Sequence, residues 1–205
     1  VLSVMNGFQK EVTDRMLSVL AHVEVFDARG AMPDWHAAAA EARRHPAVIG
    51  AAPFAETQGM LVRDDVLRPS IIRGVLPEQE PNVSDVAKQT RRGSFNALQP
   101  GSYNIVLGIE LARALRVKLG EKVTLALAQG QPTPAGVLPR VRSFTVVGIF
   151  EAGHNEFDAG MAFVHMHDAQ KMERLAAPSG IRLRIADMHQ APEVADQLQA
   201  SMPGK

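Results

Sequence analysis

The sequence contains no cysteine. That excludes disulfides, thiol catalysis and cysteine-ligated metals, and it fits an oxidising compartment where a stray thiol is a liability. An excess of either charge is missing too. Lys+Arg and Asp+Glu stand at 22 each, so no overall field favours nucleic acid or an anionic membrane. The basic doublets at 43–44 and 91–92 are too short to alter that balance. No run of about 18 apolar residues occurs, so nothing in the sequence reads as a bilayer span. There is no repeat of fixed period. There is also no Gly-x-Ser-x-Gly elbow and no glycine-rich phosphate loop ahead of a helix. A secretory signal and an initiator Met are both lacking, and Val1-Leu2-Ser3 reads as the interior of a longer chain. What remains is 205 residues of ordinary hydrophobicity, enough for one large packed domain or two small ones.

The pattern along the chain mixes both periods. Met5, Phe8, Val12, Met16 and Val19 recur at helical spacing over 5–20. Residues 22–28 alternate as a strand, and 34–45 read as a helix with Asp34 at its N-cap and Pro46 as its stop. Strand material follows at 48–57 and 59–62. Asp64-Asp65 turns it into 66–76, where Pro69 marks an edge or bulge. A short helix ends near Gln89, and 90–93 breaks it. A helix over 109–116 leads to strands at 122–128 and 143–150, and 151–160 reads as a polar loop. A short strand at 161–164, a helix from Asp168, a strand at 182–185 and a helix over 192–202 complete the order. βαβ-like units beside antiparallel hairpins predict an α+β fold.

Between the strands at 122–128 and 143–150 lies the least economical stretch of the chain. Hairpin loops commonly take about 2–5 residues, and this one spends roughly a dozen. Pro132, Pro134 and Pro139 fix φ and remove three backbone donors, which predicts a loop unable to extend the ladder. Gly130 and Gly136 permit sharp reversals. Ala135, Val137 and Leu138 have no obvious core to enter, which suits a stiffened loop that enters a partner. A loop that merely tolerates insertion is the competing reading.

Catalytic chemistry is thin. His165 and His167 alternate with Asp168 next to them, but no third ligand has metal-site spacing. The acid pairs Asp64-Asp65 and Glu78/Glu80 lie in turn-like places that read as solvated loop. No residue is assigned to catalysis, no metal site is expected and no cofactor is implied.

Three segments carry a family resemblance. Ser3-Val4-Met5-Asn6-Gly7-Phe8-Gln9-Lys10-Glu11 resembles the segment after the first transmembrane helix in the LolC/LolE family of lipoprotein-releasing ABC transporter subunits. The tract from Pro132 to Pro139, running on to Arg142 and Phe144-Thr145-Val146, is similar to the LolC-type branch or to a fused LolF-like variant. Leu107-Gly108 with 112–120, and 144–150, resemble the wider group of MacB-like periplasmic domains. The resemblance implies an α+β periplasmic core domain beside the bacterial inner membrane. Its βαβ-type Porter-like subdomain would comprise 1–57 and 121–205, with a β-rich Sabre-like insertion at 58–120.

It further implies that the hairpin at 129–140 is a hook recruiting the periplasmic lipoprotein carrier LolA. The hook residues would be Gln131, Pro132, Thr133, Pro134, Ala135, Gly136, Val137, Leu138 and Pro139. Thr124, Arg140 and Arg142 would form a patch beside it, and Val141 and Thr124 depart from the family's glutamine and arginine there. A LolE-like or identical transmembrane subunit, a LolD-like ATPase and lipoprotein cargo are the other implied partners. ATP hydrolysis would lie in the separate subunit. The alternative is a MacB- or FtsX-like mechanotransmission domain engaging a different periplasmic partner.

Overall fold

The computed structural model describes residues 23–127 and 130–205, the side chain of Gln131 excepted. The helix expected over 5–20 lies outside the described residues. Strands β1 (Val23–Phe26), β2 (Val48–Arg63) and β3 (Val66–Val75) come first, with helix α1 (Trp35–Ala42) between β1 and β2. The sequence divides β2 near Gln58, but the structure runs it unbroken for 16 residues. The glycine responsible is Gly59, where an added Cβ would stand 2.5 Å from the Ala126 carbonyl oxygen. It permits a close backbone approach and does not end the strand. Asp64, at φ 52°, takes the left-handed conformation that the two-residue β2–β3 turn requires.

After β3 come α2 (Val86–Gln89), β4 (Thr90–Gly93), β5 (Asn104–Gly108) and α3 (Ile109–Ala114). Residues 90–93, read as a break, form an edge strand paired to β9 (Val141–Phe150). Gly93 makes this possible: a Cβ there would lie 2.1 Å from the Val147 carbonyl oxygen, so only glycine brings the two backbones together. β6 (Lys122–Leu127) precedes a separate hairpin of β7 (Gln131–Thr133) and β8 (Gly136–Leu138). Beyond β9 stand α4 (Asn155–Gly160), β10 (Met161–His165), α5 (Met166–Glu173), β11 (Gly180–Ile185) and α6 (Ala191–Ser201). The polar stretch 151–160 thus ends in a helical turn. Buried Asp158 organises it by accepting from the Ala152 and Gly153 amides at 2.7 and 3.1 Å. Burial pushes the Asp158 carboxyl above its ordinary range despite these bonds.

Pairing order explains how the layers arise. β2–β3, β3–β10, β10–β5, β5–β9, β9–β6 and β6–β2 close a ring of strands. Leu61, Ile72, Leu107, Leu125, Phe144 and Val164 fill its interior, with Leu111 of α3 and Met172 of α5 in the same cluster. The N-terminal half of β2 leaves the ring to pair with β11, which pairs with β1. That side layer packs Val25, Ile181 and Leu183 beneath α1 and α6. A third cluster, outside the ring, joins Val75, Val106, Phe150 and Phe163 to Phe95 and Leu98. The fold is α+β, as expected. Glu80, read as solvated, is instead fully buried against Arg182 of β11, which is buried as completely. Ser84 Oγ donates to its carboxylate at 2.7 Å, so the pair is neutralised and partly hydrogen-bonded.

Candidate functional site

His165, His167 and Asp168 assemble no metal centre. His165 ends β10 and caps α5, its Nδ1 accepting from the His167 amide at 3.1 Å. His167 already lies in the helix, so the two imidazoles do not share a strand face. Asp168 is buried and accepts from the Gly101 and Tyr103 amides at 2.7 and 3.1 Å, holding down the loop before β5. Among the described residues no group of three His, Asp or Glu side chains could hold a metal ion.

The hairpin between β6 and β9 is built differently from a loose loop. β7 and β8 pair antiparallel with Gln131 opposite Leu138, Pro132 opposite Val137 and Thr133 opposite Gly136. The prolines were expected to prevent further ladder, and the structure corrects this. Alternate amides of a hairpin strand point outward, and Pro132 occupies the pair adjoining the turn-flanking one, where no donor is needed. Pro134 and Ala135 form the turn, with Gly136 following at φ 119°. Proline at the second turn position and glycine at the fourth are the preferences of a type I turn. Thr133 Oγ1 donates to the Gly136 carbonyl at 2.7 Å and fastens the tip.

This small sheet shares no ladder with the ring. Val137 is 69% exposed and Leu138 59%, and Pro132, Pro134, Ala135 and Pro139 are exposed as well. Gly130 seats the base, since a Cβ there would fall 2.5 Å from a Val137 methyl and 2.6 Å from the Leu138 carbonyl oxygen. Below it the Leu127 amide donates to the Arg140 carbonyl at 2.9 Å and closes the stem. The outcome is a narrow projection with two bare aliphatic side chains and a proline-stiffened backbone.

The three residues expected beside the hook are not gathered on one surface. Thr124 faces outward from the ring, opposite Ser143. Arg142 pairs across from Leu125 and so takes the inward side, at the ring's mouth. Its guanidinium stacks 3.7 Å over the Tyr103 ring. Arg140 is half-buried and donates to the Met172 carbonyl at 3.0 Å, tying the stem to the end of α5. Arg140 and Arg142 are therefore bonded within the domain, while Thr124 lies on the other side of the wall.

The sequence reading missed the wall itself. Pro69, Met60, Ala126 and Val141 stand in register across β3, β2, β6 and β9 on the ring's outer face. Val141 is 55% exposed, and Leu67 and Ile71 flank the row, also exposed. A groove of about 480 Å³ lies at the β2–β3 end of the row, lined by Met60, Pro69, Ile71 and Gly160. Alternation along each strand carried this signal, but which face stayed bare depended on the ring closing.

Residues 1–201 match the family described as the MacB-like periplasmic core domain. The chain is 44% identical over 203 residues to the lipoprotein-releasing system transmembrane protein LolC of Xylella fastidiosa strain Temecula1, covering 99% of this chain and 49% of that protein. Identity to the LolC of Neisseria meningitidis serogroup B is 38% over 199 residues, covering 97% and 48%. The chain thus spans about half the length of the curated relatives it matches. Among solved structures, it resembles the extracellular domain of the noncanonical ABC-type transporter YknZ from Gram-positive bacteria. The TM-score is 0.53 at 12% identity, over 89% of this chain and 95% of that one, a likeness of fold.

Proposed function

The chain belongs to the MacB-like periplasmic core domain family, and from that premise we propose that it is the carrier-recruiting domain of a lipoprotein-releasing ABC transporter. Its hook, 129–140, enters the apolar mouth of the periplasmic carrier LolA and presents Val137 and Leu138 there. The observation that carries this reading is the bare, separately paired hairpin: two aliphatic side chains held in solvent by a braced backbone. Burying each contributes roughly 1–2 kcal/mol. A preformed hairpin also loses less conformational freedom on docking than a flexible loop. The LolC relatives support the assignment, and Pro134, Gly136 and Pro139 resemble the Pro, Gly and second Pro of the hook in LolC-type subunits.

On this reading the domain faces the periplasm beside the inner membrane. Nucleotide hydrolysis sits in a LolD-like subunit, and a LolE-like or identical subunit completes the transporter that passes lipoprotein cargo to the carrier. Arg142, stacked on Tyr103, orients the approach and contributes little raw affinity. Calorimetric titration of the purified chain with LolA tests the assignment. Wild type binds, whereas Pro134→Arg and Leu138→Asp lose at least about tenfold in affinity. Equal binding by all three proteins rejects the hook.

A further inference from the structure

A second surface lies away from the hairpin, where β4 meets α3. A pocket of about 230 Å³ there has an apolar floor of Ile109, Ala112, Val117 and Ile149. Arg92, Arg113, Arg116 and Lys118 stand around its rim, with exposed Arg91 next to it on β4. Arg113 is paired to Glu110, but Arg91, Arg92, Arg116 and Lys118 have no carboxylate partner among the described residues. In a chain with no net charge, three unpaired cations around one concavity, Arg92, Arg116 and Lys118, form a local excess that an acidic ligand would complement.

Edge strands commonly carry charge to repel stray pairing, and that accounts for Arg91 and Arg92. It does not account for Arg116. This residue sits at φ 53° immediately after α3, where the Val117 amide bonds the Ala112 carbonyl and the Arg116 amide bonds that of Arg113. That is the left-handed cap position glycine fills at least cost. From that position the arginine lines the same pocket as Lys118 and Arg92.

We infer that this groove docks a partner protein through an acidic segment bearing an apolar side chain. The carboxylates would meet the rim and the apolar group the floor. No aromatic side chain lines the pocket to stack a base, which disfavours single-stranded nucleic acid. An anionic bilayer is the weaker occupant because the site is a concavity of about 230 Å³ with an apolar floor, which fits one side chain between carboxylates better than a flat layer of headgroups.

The probe is a short fluorescein-labelled peptide alternating glutamate and leucine, titrated by anisotropy into the purified chain. A second peptide carries glutamine for glutamate. The glutamate peptide binds about tenfold more tightly, and the preference fades with added salt. Arg116→Gly weakens it several-fold while leaving the melting temperature unchanged or higher, since glycine relieves the cap. Adding Arg92→Glu removes the remaining preference, and LolA affinity does not change, which separates this groove from the hook. Equal binding of the two peptides, or wild-type affinity in Arg116→Gly/Arg92→Glu, overturns the proposal. Displacement of the peptide by millimolar inorganic phosphate, or by phosphatidylglycerol vesicles, overturns it in favour of a phosphate or lipid site.

Discussion

Arg182 and Glu80 show what a single residue type conceals in sequence. Glu80 follows Pro77-Glu78-Gln79 and precedes Pro81, a context that reads as solvated loop. Only the distant β11 supplies the arginine that draws it inside. Removing one member of a fully buried pair strands the other charge, typically at about 3–5 kcal/mol. Arg182→Leu is expected to lose that much in urea denaturation, and Glu80→Leu/Arg182→Met to recover most of it. His165 was equally opaque, because nothing local distinguishes a helix-capping imidazole from a ligand. Burial lowers its pKa from the ordinary 6.5, and Nδ1 must stay unprotonated to accept from His167. The sign follows from the depressed folded value: the contribution is intact above 6.5 and is lost as pH falls through the folded pKa. Melting temperatures measured at about pH 7.5 and about pH 5 should therefore fall less in His165→Asn than in wild type.

Elements were legible where their signal is local. The alternation of Val123, Leu125 and Leu127, the β-branched run of β9 and the Asp64-Asp65 turn each determine their own strand or reversal. β4 was not legible, since Thr-Arg-Arg-Gly has no strand pattern and pairs only because Gly93 fits against β9. The hairpin between β6 and β9 was legible as a long exposed loop, but its ladder was not. Three prolines argue against pairing only until the register places Pro132 in an outward-facing position. Since the hairpin is paired to itself, its tip and the ring's stability are separable. Val137→Asp/Leu138→Asp should leave the unfolding free energy from urea titration within about 0.5 kcal/mol of wild type, as exposed positions do. Gly130→Val is the sharper probe. It leaves the tip chemistry intact but puts a side chain into the Leu138 carbonyl, so the hairpin must swing. Loss of LolA binding in Gly130→Val at unchanged global stability would tie recruitment to the hook's direction as well as to its apolar tip.

At the scale of the whole molecule the decisive fact is non-local. Ring closure needs β6 to pair with the C-terminal half of β2, joining Leu61 to Leu125 across a sequence gap that no window of periodicity spans. β2 therefore belongs to two bodies at once: its first half pairs with β11 over the α1 and α6 layer, and its second half is a stave of the ring. It crosses residue 57 without a break. This bears on how the chain unfolds. A body of 1–57 with 121–205 and an independent insertion at 58–120 would give two transitions. A strand shared by both cores transmits disorder from one to the other and gives one. Leu61 lies in the ring core and Leu183 in the side layer, both with no exposure. Truncating either to alanine should cost about 2–5 kcal/mol. The single transition expected from β2 requires that Leu61→Ala and Leu183→Ala each shift every probe together: far-ultraviolet circular dichroism, fluorescence of Trp35 against the side-layer core, and exchange of the Leu125 amide in the ring. If Leu183→Ala lowers the Trp35 midpoint while Leu125 stays protected, the two cores are independent and β2 is a hinge between them.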